Sequence, residues 1–366
     1  MTSVQTRAAE PPPSAPRRSA VFPSGAPGRR AFAALSFRNI GAVYVWLVIV
    51  ALFSVWAPDT FPTTTTVKQV LNGNAVAGLV ALSVVPPLAA RVFDLSVAYT
   101  MSLTSVLTAH FLVSSGFGPG AAIALAMTAA LLVGVVNALV VVVLRVDSFI
   151  ATLATGALIQ SLITMVTNDS SLTGVQLLAK PFADIAQLDA GGLTLPVLYL
   201  MVAALTLWFV LEHTATGRRL YATGFNADAA RLQGVRTDRL RFGTLVASAL
   251  LSGLAGVVFA SSVGSGSPTA GTPYLLSAYA AAFVGATQLR AGRFNAWGTV
   301  LAVLLLGTGI TGLGLATSAQ WAASLFTGTV LIVALVLTGG RISLPAVLRR
   351  RTGSGPAATT DEEVGA

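Results

Sequence analysis

Asp94, His110, Asn137 and Gln160 are the side chains that could do chemistry inside the long apolar runs of this chain. An ionisable group in such surroundings is expensive and is functional by default. Asp94 is the one carboxylate close to the interior of an apolar run; Asp147 and Glu212 stand at run ends. It opens Asp94-Leu95-Ser96-Val97, where a helix restarts after Arg91. Two roles fit it: an N-cap that satisfies the free amides of that helix, or a proton relay. His110 reads as a packed, hydrogen-bonded imidazole, with a relay as the alternative. Asn137 and Gln160 suit hydrogen bonds between helices or, with Asp94 and Ser96, the lining of a polar path.

Other chemistry is missing. There is no cysteine, hence no disulfide and no thiolate, and only His110 and His213 could supply imidazole. No metal site, no cofactor and no catalytic residue is expected. A phosphate-binding loop needs G-x-x-x-x-G-K-[ST], whose backbone amides and lysine cradle the phosphates. Lys68 sits in Val67-Lys68-Gln69 and Lys180 in Ala179-Lys180-Pro181, and neither fits.

The elements that must position these residues are membrane helices. Of 366 residues 54% are apolar and 10% charged, against roughly 25% charged in a soluble domain. Apolar runs of spanning length recur near 40–57, 72–90, 95–114, 119–144, 148–166, 193–212, 243–263, 274–289, 296–314 and 321–340. Pro86 and Pro87 are expected to interrupt the second, and the eighth is short and Ala-rich. The chain carries a net charge of +9. With the N-terminus in the cytoplasm, all twenty arginines fall on cytoplasmic segments and both lysines outside, as the positive-inside rule asks. The fold expected is an all-α polytopic membrane protein of about ten transmembrane helices, both termini cytoplasmic. Residues 1–38, with six prolines and six arginines, read as a disordered cytoplasmic tail. Residues 39–341 form the membrane domain and 342–366 a second cytoplasmic tail.

The basic segment 213–242 holds a short helix of its own. Asn226 can cap it, Asp228 suits its first turn, and Ala229, Ala230 and Leu232 give a small apolar face. Arg231 lies toward its end, and Gly234 can take the left-handed conformation that stops it after about eight residues.

Several segments together resemble one family, the permease subunits of ABC importers for simple sugars, of the ribose type. They are Phe93-Asp94-Leu95-Ser96-Val97, Ser148-Phe149-Ile150-Ala151-Thr152-Leu153 and Thr167-Asn168-Asp169-Ser170. With them stand Thr216 to Asn226 continuing through Val235, and Pro268-Thr269-Ala270-Gly271-Thr272 before Gly285-Ala286-Thr287. Order and spacing agree from about residue 75 to residue 340. The chain departs at Tyr274-Leu275-Leu276-Ser277, where the family commonly shows Tyr-Glu-Leu-(Asp/Glu). It departs also at Ala98, Arg91, Pro86-Pro87 and Arg290-Ala291-Gly292-Arg293.

The resemblance implies a non-enzymatic, multi-pass subunit of the cell membrane that forms the path for a monosaccharide or similar small polar solute. It implies three partners besides membrane lipid: cytoplasmic ATPase subunits, an extracytoplasmic solute-binding protein and a second permease, identical or paralogous. Nucleic acid is not among them. Gly224, Asn226, Ala229, Ala230, Arg231, Leu232 and Gly234 then fall where such a permease docks into its ATPase. Asp94, Ser96, Asn137 and Gln160 would line the translocation path, and loop 167–192, with Asp169, Lys180, Asp184 and Asp189, either meets the binding protein or is merely solvated. Three alternatives stay open: a related ABC permease for branched-chain amino acids or nucleosides, a facilitator or secondary carrier working alone, and a scaffold without transport.

Overall fold

A computed structural model describes residues 37–289, 292–317 and 320–339. The expected tails lie outside these residues, except that Phe37 and Arg38 open the first helix. The helices are α1 Phe37–Trp56, α2 Thr64–Gly73, α3 Ala75–Ala89, α4 Val97–Val113, α5 Pro119–Ala138 and α6 Ser148–Thr167. Two single turns follow, α7 Val175–Leu178 and α8 Asp184–Gln187, then α9 Leu195–Trp208, α10 Ala215–Phe225 and α11 Ala227–Leu232. The last four are α12 Thr237–Val263, α13 Thr272–Ala286, α14 Ala296–Thr317 and α15 Gln320–Gly339. Each of the ten apolar runs falls on one of these helices or on the α2–α3 pair.

Five helices are long and apolar enough to cross a bilayer. They are α5 with its π-helical extension Leu139–Val143, α6, α9 with its π-helical extension Phe209–His213, α12 and α14. The pair α2–α3 makes a sixth if taken as one span, bent by 43°. That bend falls at Asn74, not at Pro86 and Pro87. Asn74 leaves the helical region (φ −104°, ψ 3°), and Val70 O accepts both from its Nδ2 at 2.8 Å and from its amide at 3.2 Å. The prolines sit in the last turns of α3, where the amides of Ala90 and Val92 still reach the Pro87 carbonyl.

The centre of the bundle is α12, packed against α3, α4 and α5. In its most apolar stretch 56% is buried, as in α14, whereas α5, α6 and α9 bury 28–33% and turn large apolar residues such as Leu132, Leu158 and Met165 outward. Small residues form its packed face: Ser248, Ala249, Ser252, Gly253, Gly256 and Ala260 are all buried. Lipid supplies no hydrophobic drive between helices, so close approach and interhelical hydrogen bonds do the work. Ser252 Oγ donates to Val97 O, and Thr104 Oγ1 lies 3.0 Å from Gly253 O. Elsewhere Trp46 Nε1 donates to Thr308 Oγ1 at 2.9 Å, tying α1 to α14.

The connectors gather at two ends. At one, Arg91, Arg145, Arg231 and Arg241 line a single cavity, and Arg91 and Arg293 line another. At the other, β1 (Leu172–Thr173) pairs with β4 (Ser265–Gly266), and the hairpin of β2 (Asp189–Ala190) and β3 (Leu193–Thr194) is held by Asn72 through Gly192 O and Thr194 N.

Candidate functional site

The connector between α3 and α4, residues 90–96, carries the expected Asp94 and Ser96. Its amides bond side chains rather than one another. Phe93 N donates to Ser148 Oγ (3.1 Å), Asp94 N to Tyr279 OH (3.1 Å) and Leu95 N to Thr152 Oγ1 (3.0 Å). Asp94 Oδ1 accepts from Ser96 N at 3.1 Å and from Ser96 Oγ at 2.6 Å, while Asn137 Nδ2 donates to Ser96 Oγ at 2.7 Å. Ser248 of α12 stands beside the carboxylate. Elements α4, α5, α6, α12 and α13 therefore meet at one polar node, with no solvent exposure at Asp94, Ser96, Asn137 or Ser248. Burial pushes the Asp94 carboxyl above the usual carboxylate range, and the Ser96 bonds oppose that. Among the described residues Asp94 Oδ2, Asn137 Oδ1 and Ser248 Oγ have no partner in good hydrogen-bond geometry.

The structure brings together three of the four residues assigned to the path and leaves out Gln160, half-buried on α6. None of the four lines the two cavities at the arginine-bearing end. The N-cap reading of Asp94 also changes. Ser96 occupies the N-cap position of α4 and makes no capping bond, because its hydroxyl is engaged with Asp94 and Asn137. Asp94 instead closes a tight turn onto the amide two residues ahead. His110 sits in the last turn of α4, half-buried and edge-on to Phe111 at 5.9 Å, with no side-chain hydrogen bond among the described residues.

The connector reaches the basic loop on its other side. A methyl group at Gly224 would collide with Ala89 O at the end of α3, so only glycine lets α10 pass so close. Asn226 caps α11: its Oδ1 accepts from Asp228 N at 3.1 Å and Ala229 N at 3.0 Å. The helix has six residues, and Gly234 follows with φ +79°, the left-handed geometry that favours glycine. Two expectations are corrected. Ala230 is only 6% exposed and packs inward, while Leu232, 87% exposed, is the apolar side chain presented outward. Arg231 is engaged within the chain, at 2.6 Å from Asp238 Oδ1 and 2.7 Å from Thr237 Oγ1, which ties α11 to α12.

One cavity escaped the sequence reading. About 350 Å³ in volume, it lies between the α2–α3 bend, α13, α14 and α15, within the range of small-molecule sites. Asn74, Tyr274, Ser277, Ser324 and Thr327 supply its polar groups, and no charged side chain among the described residues lines it. The sequence does mark the place: the departure at Tyr274–Ser277 is part of its wall.

The model of the family described as branched-chain amino acid transport system / permease component matches residues 66–335. The ribose import permease protein RbsC of Escherichia coli K12 is 30% identical over 313 residues, 85% of this chain and 96% of that protein. Its namesake in Bacillus subtilis 168 is 31% identical over 300 residues, 82% and 92%. The D-allose transport system permease protein AlsC of Escherichia coli K12 is 27% identical over 308 residues, 83% and 92%. The chain belongs to this permease family. It is the membrane-spanning permease subunit of an ABC importer, as its motifs implied. No solved structure gives a significant match.

The node has a measurable consequence for the permease. Ser96→Ala removes the hydroxyl that serves Asp94 and Asn137 at once and leaves both short of a buried partner. Such orphaned groups cost about 1–3 kcal/mol. Unfolding of the purified protein in mild detergent should show a loss of that size, whereas Ser161→Ala, at an exposed site bonded only within its own helix, should change stability by less than about 0.5 kcal/mol.

Proposed function

We propose that this permease conducts an uncharged, polyhydroxylated solute, a monosaccharide, into the cell. The observation that carries the reading is the 350 Å³ cavity with hydroxyl and amide groups but no charged side chain. A sugar needs hydrogen-bond partners and no counter-charge. An amino acid zwitterion, the solute class named in the family's description, brings an ammonium and a carboxylate that are costly to desolvate without ionic partners. The ribose and D-allose transport named for the relatives supports the sugar. With no phosphate-binding loop in the chain, the energy comes from a separate cytoplasmic ATPase, and a solute-binding protein delivers the sugar from outside. A second permease, identical or paralogous, completes the pathway.

We infer ten crossings with both termini inside. The two gathered ends support this: the arginine-bearing connectors lie together at one, and the β-paired loops with Lys180 at the other. Docking of the ATPase falls to α11, through Leu232 and Ala229 rather than Ala230. The enclosed node of Asp94, Ser96 and Asn137 acts as a pivot beside the pathway rather than as its lining.

Three outcomes test this. Reconstituted with its ATPase and binding protein in liposomes, the permease should accumulate a labelled monosaccharide, ribose first, when ATP is supplied. Accumulation of leucine instead would overturn the sugar reading, and uphill transport by the chain alone would overturn the importer reading.

Topology is open to labelling, because the chain has no native cysteine. Val175→Cys, at a position 78% exposed, should react with an impermeant maleimide added to intact cells. Leu232→Cys should react only after the membrane is opened, and the reverse pattern rejects the orientation.

Leu232→Glu should weaken ATPase co-purification about tenfold or more, as for a central interface residue, with the permease still folded. Ala230→Trp should lower the yield of folded permease itself by overpacking. Arg219→Ala, outside α11, should be mild. Normal docking by Leu232→Glu sinks the α11 assignment.

A further inference from the structure

At the basic end, a second cavity of about 350 Å³ lies beneath the connector, between the π-helical end of α5 and the start of α12. Arg91, Arg145, Arg231 and Arg241 line it, with Asp238 as the one acidic residue in its wall. Arg231 and Asp238 neutralise each other at 2.6 Å. Arg91, Arg145 and Arg241 make no side-chain hydrogen bond or ion pair among the described residues. Three positive charges therefore remain around one small space.

One further feature points to an acceptor in the cavity. Among the described residues the buried Nε of Arg241 has no hydrogen-bond partner, a donor that is costly to leave unmet. Guanidinium groups in such number match the oxygens of a phosphate, which they can engage in pairs.

What surrounds the cavity decides between a soluble occupant and a lipid. Next to its rim Val143 is 62% exposed, Leu144 68% and Ile150 64%. A cytosolic protein has no reason to leave this apolar strip beside its own acidic contact, whereas acyl chains cover it while the headgroup enters the basic space. We propose that this cavity binds the phosphate headgroup of an anionic membrane phospholipid, with the chains along Val143, Leu144 and Ile150. The site joins the α3–α4 connector, the α5–α6 connector and α11–α12, so the lipid clamps the same parts that flank the polar node. The proposal rests on the chain's place in the membrane and not on the solute it carries.

The test uses the full-length chain in detergent, with lipids counted by native mass spectrometry. Phosphatidylglycerol should be retained and phosphatidylcholine of the same chains should not. Arg145→Gln and Arg241→Gln should each weaken retention about fivefold, the effect of one basic residue near an anionic surface. Arg239→Gln, outside this cavity, should leave retention unchanged. Equal retention of the two lipids, or unaltered binding by both variants, overturns the proposal. Competition by inorganic phosphate at the lipid's own concentration also overturns it, in favour of a free anion. If Arg145→Gln keeps its lipid but loses the ATPase, the cavity is a protein contact and the lipid site is wrong. Arg145 is exposed, so that variant decides the matter even if Arg241→Gln fails to fold.

Discussion

A hydroxyl or amide surrounded by hydrocarbon has no water to bond, so its partner must come from the protein. This constraint organises the permease. Ser252 and Thr104 tie α4 to α12 through backbone carbonyls, and Ser261 Oγ reaches from α12 to Phe182 O at 2.8 Å, holding the outer loop. Each hydroxyl sits among small residues, which bring the backbones close enough for the bond to form. Replacing this face with large apolar residues would widen the spacing and break the bonds together.

The polar node is where the same constraint is met least completely. Five elements contribute to it, yet three of its buried polar atoms find no well-placed partner among the described residues. Such a place has alternatives: a small shift of α5 or α12 exchanges one hydrogen bond for another at low net cost. Elsewhere in the bundle an interhelical bond such as Ser252 to Val97 O pairs a single donor with a single carbonyl. A transporter must change shape while staying folded, and a node with spare donors and acceptors lets packed helices move against each other.

The sequence shows the helices clearly, because a spanning run is a strong periodicity-free pattern. It shows the cap at Asn226 and the stop at Gly234, since both are local. It misplaces the bend in the second run: the helix runs on through Pro86 and Pro87, and the backbone leaves helical geometry at Asn74 instead, which no proline marks. Ala230 reads as outward-facing because a six-residue helix has too few turns to fix its face; packing against α12 decides that. The Arg231–Asp238 pair is not legible in the sequence, because the two lie seven residues apart and meet only after α11 and α12 fold back on each other. The cavity at Asn74, Tyr274 and Thr327 joins residues more than 250 positions apart, which no local pattern brings together.

The charge distribution fixes where energy can enter. The described spans hold no carboxylate able to carry a coupling proton across, since Asp94 is enclosed and lies at the end of the bundle that gathers the arginines. No charged side chain among the described residues lines the proposed solute cavity. In the proposed importer the work arrives mechanically, at the basic end. From α11 the route is short: α10 touches the last turn of α3 at Gly224 and Ala89, the connector follows, and Asp94 stands five residues beyond Ala89. Asp94 N is held by Tyr279 of α13, and α13 carries Tyr274 and Ser277 on the wall of the cavity. A push on α11 thus has a continuous set of packed and hydrogen-bonded contacts to the cavity, and Gly224 is the point at which any added side chain would separate the two ends of that route.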